Sequence, residues 1–306
     1  MTRPTRVLVT GAGGQVGVDL VDVLTGVVPP GGDSSFQPDG RVIETDEFEV
    51  LAVTRGDLDV TNDAHVRSSL AATRPDVIVH LAAYTAVDRA EEDLDACFEV
   101  NATATGTLSS GAHDVGAHFI TISTDYVFDG TKGNYVEDDR TNPLNVYGAS
   151  KRAGELLCRA EDTIVRTSWV VGVRGTSVVH VIADRARQGQ IVRFVHDQRG
   201  TVTVAADLAR ALVALVRTRP GGYWHVANVG ATTWFDLAAF VGRTLGRDDE
   251  FATAISTSEL SPAPLARRPA ASDLNTTKFA HDFAPLPVWR ESLERVVRDS
   301  SPRVKP

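Results

Sequence analysis

A glycine-rich turn between a short apolar run and a helical pattern constrains the fold of this chain more than any other feature. The run RVLVT (6–10) is followed by GAGGQVG, in which Gly11, Gly14 and Gly17 are spaced three apart, and then by an amphipathic pattern over 15–26. Gly11 suits a tight turn, Gly14 lets backbone approach a pyrophosphate, and Gly17 lets the helix pack closely on the strand. The helix N-terminus offers free N–H groups to the anion. The pattern therefore predicts a dinucleotide-binding site.

Apolar runs continue to alternate with helical patterns along the first half of the chain. Strands are predicted at 6–10, 48–54, 75–83 and 116–124, with helices at 15–26 and 61–73. Continuous apolar strands separated by helices indicate a parallel sheet that is covered on both faces. Because such crossovers are right-handed, the expected fold is an α/β doubly wound sheet of the Rossmann type.

The alternation becomes looser after Lys151. Further elements are predicted as strands at 161–172, 190–197 and 221–228, helices at 205–218 and 233–246, and an irregular proline-rich segment at 261–275. We expect residues 1–167 to form the cofactor-binding Rossmann domain, to which later segments can return. Residues 168–306 are expected to form mainly a smaller substrate-binding lobe.

Composition excludes several classes of function. The 306 residues carry a formal net charge of -9, which argues against a nucleic-acid or anionic-membrane surface because these need clustered cations. The first apolar run is too short for a signal peptide, and none approaches the roughly 18 residues of a membrane span. Cys97 and Cys158 form no disulfide framework or metal pattern, so we expect small buried hydrophobes. These features predict a cytoplasmic protein.

The end of the second strand selects the cofactor, and two registers compete. If RVIETD (41–46) were that strand, Glu44 or Asp46 would bind the ribose 2′-hydroxyl of NADH. If EVLAVTRGD (49–57) is that strand, Thr54 and Arg55 leave room for the 2′-phosphate of NADPH. We favour the second register, because it leads directly into the next helix. NADPH is the expected cofactor, with NADH as the alternative.

A hydroxyl, a phenol and an ammonium form the candidate catalytic set. Tyr147 and Lys151 are four residues apart in a helical pattern, so they share one helix face. A nearby ammonium is expected to lower the pKa of the phenol. Thr124 ends the fourth strand, at the sheet edge where doubly wound folds bind ligands. The three side chains predict hydride transfer to a ketone, with Tyr147 giving a proton to the forming alkoxide.

With these residues in place, the sequence resembles the extended short-chain dehydrogenase/reductase superfamily and, within it, the dTDP-4-dehydrorhamnose reductase family. The resemblance covers nearly the whole chain. The motifs that support it occur in the family's order and are TGAGGQVG, LDVTN, PDVIVHLAAYTAVDRAE, VNATATGT, STDYVFDG, PLNVYGASKRAGE, VRTSW, HDQRGT and RPAASDLNTTKF. The motifs TAVDRAE and STDYVF are more specific than the superfamily's shared glycine and YxxxK motifs.

The resemblance implies roles for residues at matching positions. Besides the glycine turn with Gln15 and Val16, it implies an adenine site at Asp59 and Val60. It further implies that Ala82, Ala83 and Tyr84 lie along the nicotinamide and that Asn101 orders the lysine through water. Tyr147 would be the acid, and Lys151 would hold the nicotinamide ribose.

The resemblance also implies a substrate site. Thr124 and Asp125 would contact the sugar, Trp169 would flank the sugar nucleotide, and Arg268 would contact a phosphate or base.

The chain also departs from the family pattern. Val202 replaces a proline in DQRGTVT, which puts the shape of that loop in question. Some relatives bridge a dimer through magnesium held by carboxylates, and Asp19 could supply one, but Ala206 stands where another is expected. The sequence therefore gives little support for Mg²⁺. A homodimer or a monomer is expected rather than a large assembly.

The resemblance implies NADPH-dependent reduction of the C4 ketone of dTDP-4-dehydro-L-rhamnose, a dTDP-linked 4-keto-6-deoxy-L-hexose. One alternative is a reductase of another nucleotide-linked 4-keto-6-deoxyhexose. Another is a non-catalytic regulatory subunit that binds the nucleotide. The complete set of Thr124, Tyr147 and Lys151 favours catalysis.

Overall fold

Twelve strands are found in the part of the chain that the computed structural model describes, residues 3–44 and 46–300. They are β1 (Thr5–Thr10), β2 (Phe48–Val53), β3 (Val77–His80), β4 (His118–Thr124), β5 (Thr163–Thr167), β6 (Val170–Val171), β7 (Val192–Val195), β8 (Arg199–Thr201), β9 (Thr203–Val204), β10 (Gly222–His225), β11 (Ala231–Thr233) and β12 (Ala252–Ile255). Within this part, six strands form one parallel sheet in the order β10-β5-β4-β3-β1-β2. The remaining strands pair as β11-β8, β12-β7 and β6-β9.

Helices connect these strands. They are α1 (Gln15–Leu24), α2 (Asp63–Thr73), α3 (Val87–Ala90), α4 (Leu94–Phe98), α5 (Ala104–Val115), α6 (Val146–Leu157), α7 (Val178–Arg187), α8 (Ala205–Thr218), α9 (Trp234–Thr244), α10 (Thr277–Asp282) and α11 (Trp289–Asp299). A π-helical turn, Glu99–Thr103, joins α4 to α5. Among residues 3–44 and 46–300, no helix is both long enough and apolar enough to cross a membrane.

Helices cover both faces of the central sheet. Side chains alternate along β1, so Val9 packs with Leu20 of α1 and Leu212 of α8 on one face. Leu8 packs on the opposite face in a cluster that includes Leu70 of α2. This two-sided core confirms the predicted doubly wound α/β fold.

The chain returns to the sheet after the residues expected to end the Rossmann domain. β10 pairs with β5 at the sheet edge, and α8 packs against α1. A separate apolar core lies among α7, α9 and α11, with Val179, Val241 and Val296 fully buried. Val202 is also fully buried there. The division at 167/168 stays a prediction, with β10 and α8 as the segments that return.

Strand β2 occupies the favoured register. It spans Phe48–Val53 and pairs with β1 over its whole length, which confirms the strand predicted at 48–54. Residues 41–44 have no regular structure, and Thr45 lies outside the described residues. The strand predicted at 161–172 divides into β5 and β6 at Ser168 and Trp169. Trp169 has a φ of 41°, which breaks the extended backbone there.

The long stretch before β2 is held against the body of the protein by Arg217 of α8. The Arg217 guanidinium is almost fully buried and donates to Asp39 (2.8 Å) and Glu47 (2.7 Å). Phe36 and Ile43 pack against the cluster between α1 and α8. The stretch is thus an anchored cover over one sheet face.

Candidate active site

A cleft of about 890 Å³ opens along the carboxyl ends of the central strands. Doubly wound sheets bind ligands at this edge, next to the point where the strand order reverses. That point is between β1 and β3. The cleft brings together nearly all the candidate residues, namely Gly11, Gly14, Gln15, Val16, Gly17, Thr54, Arg55, Asp59, Val60, Ala82, Ala83, Tyr84, Thr124, Asp125, Tyr147, Lys151 and Trp169.

The glycine turn at the start of α1 has the close contacts that its spacing predicts. A Cβ on Gly17 would lie 2.3 Å from the Gly11 carbonyl oxygen, so the helix could not start so close to the strand. Gly11 has a φ of +69°, and a Cβ there would lie 2.6 Å from the Ala82 nitrogen. The first turn of α1 is uncharged, and Gly14 is its N-cap. Its N–H groups therefore suit a phosphate.

The end of β2 places one arginine on the cleft. The Thr54 backbone amide and hydroxyl both donate to Asp57 Oδ2, at 2.9 and 2.7 Å. The Asp59 carboxylate accepts from the amide and hydroxyl of Thr61, which lowers its pKa. Asp57 and Asp59 therefore already accept hydrogen bonds from neighbouring threonines. Arg55, in contrast, is exposed and lines the cleft. This arrangement suits a phosphate better than a free ribose hydroxyl.

Close packing of α6 brings Tyr147 beside Thr124. The helix begins at the N-cap Asn145, whose side chain accepts from the Gly148 amide at 2.8 Å. A Cβ on Gly148 would lie 2.1 Å from the Tyr126 carbonyl oxygen, so glycine is required for this approach. The rings of Tyr126 and Tyr147 meet edge to face, with centroids 6.1 Å apart. The phenol is thereby fixed near the end of β4.

The electrostatics of the phenol differ from the sequence-based expectation. Burial raises the pKa of Tyr147 to about 12, and the hydrogen bond with Thr124 offsets only part of this. The predicted lowering of this pKa by Lys151 is therefore wrong, because burial dominates the shift and Lys151 is not among the groups that contribute to it. Burial lowers the pKa of Lys151 to about 8, against the opposing effect of Glu155. The phenol is protonated near neutral pH, as a proton donor must be.

Asp125 lies behind Thr124 and orients its hydroxyl. The Thr124 hydroxyl donates to Asp125 Oδ1 at 3.1 Å, and Ser272 donates to Oδ2 at 2.5 Å. Burial raises the pKa of Asp125 to about 6, while hydrogen bonds from Ser272, Ser168 and Thr124 oppose the shift. The carboxylate thus organises a buried hydroxyl network at the end of β4.

Asn101 supports the cleft wall from the π-helical turn. Its Oδ1 accepts from the Tyr84 amide at 2.9 Å, and its Nδ2 donates to the Tyr84 carbonyl at 3.0 Å. The same Nδ2 donates to Ser150 Oγ at 3.0 Å, on the helix that carries Lys151. Asn101 therefore joins the wall after β3 to α6. Its implied role in ordering the lysine through water stays a prediction.

Trp169 is stacked on a tryptophan that sequence reasoning missed. The rings of Trp169 and Trp234 are 3.8 Å apart and nearly parallel, and both line the cleft. A Cβ on Gly200 would lie 2.6 Å from Trp169 Cε2, so the indole lies directly on backbone. Missed lining residues also include Gly175 and Thr176. An aromatic residue opening a helix was the one signal for Trp234.

Arg268 lies outside the cleft. It forms a two-pronged ion pair with Asp88, at 2.6 and 2.7 Å, and also donates to the Ala266 carbonyl. The ion pair with Asp88 joins the 261–275 segment to α3. The implied contact of Arg268 with a phosphate or base stays a prediction.

The Asp19 carboxylate has a protein cation as its partner. Arg174 Nη1 lies 3.2 Å from Asp19 Oδ1 and 2.6 Å from Asp22 Oδ2, and Ala206 is buried. Among residues 3–44 and 46–300, no group of three or more His, Cys, Asp or Glu side chains could hold a metal ion.

Cys97 is buried against Ser150 Oγ at 3.1 Å, whereas Cys158 is partly exposed.

Comparison with known proteins assigns the family. Residues 40–301 match the family described as the RmlD substrate binding domain. The chain belongs to the RmlD substrate-binding domain family. The match includes every cleft element after the glycine turn, so the catalytic set and the stacked tryptophans lie within the RmlD-family region.

Three related proteins are similar to this chain over almost its whole length. A dTDP-4-dehydrorhamnose reductase from Streptomyces griseus is 39% identical, covering 95% of this chain and 92% of the relative. A dTDP-4-keto-6-deoxy-D-glucose reductase from Streptomyces niveus is 35% identical over 94% and 91% of the two chains. A crystal structure of dTDP-4-dehydrorhamnose reductase from Bacillus anthracis in complex with NADP matches with a TM-score of 0.85, at 32% identity over 97% of this chain and 100% of that one.

Proposed function

We propose that this protein is an NADPH-dependent reductase that converts dTDP-4-dehydro-L-rhamnose to dTDP-L-rhamnose in nucleotide-sugar biosynthesis. The observation that carries the proposal is the juxtaposition of Thr124, Tyr147 and Lys151 in one cleft with the glycine turn. Similarity to dTDP-4-dehydrorhamnose reductases over nearly the full chain supports the choice of substrate. A relative in complex with NADP supports the choice of cofactor.

The residues of the cleft divide the work of ketone reduction. NADPH, when bound, supplies the hydride that adds to C4 of the sugar. The Tyr147 phenol donates its proton to the C4 oxygen, so the carbonyl becomes a hydroxyl. Thr124 would turn its single O–H from Asp125 to the same oxygen and polarise it. Lys151 would hold the nicotinamide ribose, and the phenolate left on Tyr147 then regains a proton from solvent.

The cofactor site is proposed on the residues that fit its charged parts. The pyrophosphate would lie on the uncharged N-terminal turn of α1. Gln15 Nε2 lies there as a buried donor with no hydrogen-bond partner in the described part of the chain. Arg55 would meet the 2′-phosphate, which distinguishes NADPH from NADH. Asp59 and Val60 would border the adenine.

A second substrate is a specific alternative. The S. niveus relative is named as a reductase of dTDP-4-keto-6-deoxy-D-glucose, whose sugar differs in configuration. The same catalytic set would reduce that ketone. Trp169, Trp234 and Asp125, which all line the cleft, would contact the sugar and decide between the two substrates.

The test is a coupled reduction with product analysis. The protein is mixed with NADPH and each 4-keto sugar nucleotide, and NADPH absorbance is followed while the products are separated and their C4 configuration is assigned by NMR. Consumption of NADPH with formation of dTDP-L-rhamnose is expected. Turnover of only the D-gluco ketone would transfer the assignment to the alternative. NADPH binding without reduction of either ketone would support the regulatory subunit.

A further inference from the structure

A loop of the smaller lobe lies directly against the cofactor turn. This loop, residues 172–177, follows β6 and is called the strap below. A Cβ on Gly172 would lie 3.0 Å from Gln15 Nε2, and one on Gly175 would lie 3.5 Å from Gln15 Cβ. Gly175 and Thr176 line the cleft together with the glycine turn. The strap and the start of α1 thus form two walls of one cofactor channel.

Arg174 ties the strap to α1. Its guanidinium lies 2.6 Å from Asp22 and 3.2 Å from Asp19, two residues in the middle of that helix. The Asp19 side chain is 2% exposed, so it depends on Arg174 for its charge partner. The helix that offers its N-terminus to the cofactor therefore also fixes the strap that lies over that end.

The strap is fixed to its own lobe at both sides of Arg174. His180 Nε2 bonds to the Val173 carbonyl at 2.9 Å. A carbonyl can only accept, so Nε2 carries the proton and Nδ1 is the acceptor. Nδ1 then accepts from the Ser177 hydroxyl at 3.0 Å, which starts α7. The strap therefore moves with α7, and Arg174 couples it to the Rossmann layer.

We propose that Arg174 is a positioning residue that latches the strap over the bound cofactor and slows its release. The inference rests on the proposed function only in naming NADPH as the occupant. A ligand lying between the strap and the glycine turn has to pass the strap to leave. Opening the strap requires the Arg174 contacts to break. The Gln15 side chain, at the start of α1, would lose its contact with Gly172 and Gly175 at the same time.

Direct measurement of NADPH release tests the latch. Arg174→Ala is expected to raise the dissociation rate, followed by stopped-flow fluorescence, about 1.5- to fivefold, the range for a partly exposed ion pair. Arg174→Lys keeps the charge and is expected to recover part of the slow release. Arg67→Ala is the matched control, because Arg67 also contacts two carboxylates, Asp63 and Asp114, away from the cleft. Its release rate should equal that of the wild type.

A double variant separates a latch from a general loss of packing. Asp22→Asn should speed release, and the Arg174→Ala/Asp22→Asn pair should release NADPH no faster than Arg174→Ala alone, because Arg174→Ala already removes the contact that Asp22→Asn breaks. Fully additive rates would contradict the latch.

Hydrogen exchange provides a readout without the cofactor. Amides in the strap are expected to exchange faster in Arg174→Ala than in the wild type or Arg67→Ala, while amides of β1 and β4 stay protected. Unchanged strap exchange and unchanged NADPH release would overturn the latch. A wild-type protein that fails to bind NADPH would instead overturn the proposed function, and the exchange result would still decide whether Arg174 holds the strap.

Discussion

The Thr124 hydroxyl donates a hydrogen bond to the buried carboxylate of Asp125 at 3.1 Å, and it also lies beside the phenol of Tyr147. Because a hydroxyl donates only one hydrogen bond, the O–H has to turn from Asp125 to the ketone oxygen in the proposed reaction. Its oxygen already accepts from the Tyr126 amide at 3.2 Å, which limits its rotation. The Thr124 oxygen is thus held in place by its neighbours Asp125 and Tyr126 at the end of the strand.

Removing the phenol hydroxyl should abolish most activity while leaving the fold intact. General acid catalysis contributes about 10²–10⁴-fold, so turnover by Tyr147→Phe should fall by roughly that range. Thr124→Val should cost less, because Thr124 orients and polarises the ketone without giving up its proton. The measurement is turnover together with NADPH affinity, which should remain near the wild-type value in both variants. Full activity of Tyr147→Phe would rule out the proposed acid.

Lys151 should give activity an upper pH limit. Its pKa is lowered to about 8 by burial, so the ammonium is present below that pH and is lost above it. The kcat/KM of the wild type is therefore expected to decline as pH rises through about 8. Tyr147, with a pKa near 12, stays protonated over the same range. Lys151→Met should bind NADPH more weakly, turn over more slowly and lack this decline.

Asp125 and Asp129 should contribute to the free energy of unfolding with opposite dependence on pH. Burial raises the folded-state pKa of Asp125 to about 6. Between about pH 4 and 6 the folded chain therefore keeps a proton that the unfolded chain releases, so stability falls as pH rises. Asp125→Asn should remove this fall, of order 2–3 kcal/mol. Urea unfolding at several pH values measures it.

Asp129 provides the opposite control. The Thr131 amide and several hydroxyl and amide groups lower its folded-state pKa. Asp129 therefore stabilises the folded chain above about pH 4, and this stabilisation is lost as the pH falls below the pKa of Asp129 in the unfolded chain. Asp129→Asn should weaken the protein at neutral pH and have little effect in acid. Equal pH slopes in the two variants would contradict the opposite environments described for them.

Arg55 should decide between NADPH and NADH. A guanidinium on the cleft at the end of β2 favours a 2′-phosphate. Arg55→Ala is expected to lower kcat/KM for NADPH about tenfold or more, a typical loss for a charged hydrogen bond, and to leave that for NADH nearly unchanged. NADH serves as the control within each protein. A wild-type preference for NADH would return the choice to the acids near residues 44–46.

Gly200 should set the position of the Trp169 indole. A methyl group there would lie within 3 Å of the ring, and overpacking of this kind typically costs about 1–3 kcal/mol. Gly200→Ala should therefore raise KM for the sugar nucleotide while NADPH affinity stays unchanged. Trp234→Phe, which keeps an aromatic partner, should have a smaller effect. A parallel loss of cofactor affinity would place Trp169 at the nicotinamide rather than at the sugar.

The parts of the site that the sequence predicts are those encoded by local patterns. The glycine turn, β2 and the pair of Tyr147 and Lys151 each lie within one short segment, where periodicity and spacing are informative. Trp234 and the strap reach the cleft from the other lobe, and no spacing indicates such a contact. The raised pKa of Tyr147 was missed for a related reason, because it depends on burial by neighbours distant in the chain.

The order of strands has a consequence for biosynthesis on the ribosome. β10 is the edge strand beside β5. Helix α8 packs on the same face of the sheet as α1, where it covers Val9 of β1 and Leu20 of α1. A nascent chain that has emerged only as far as residue 204 therefore has an unpaired β5 edge and an uncovered apolar layer around Val9 and Leu20. Cleavage between residues 167 and 168 would leave the N-terminal piece in the same state. The cofactor-binding layer can reach its final stability only after about three quarters of the polypeptide has been made, so its folding is expected to be completed late in translation.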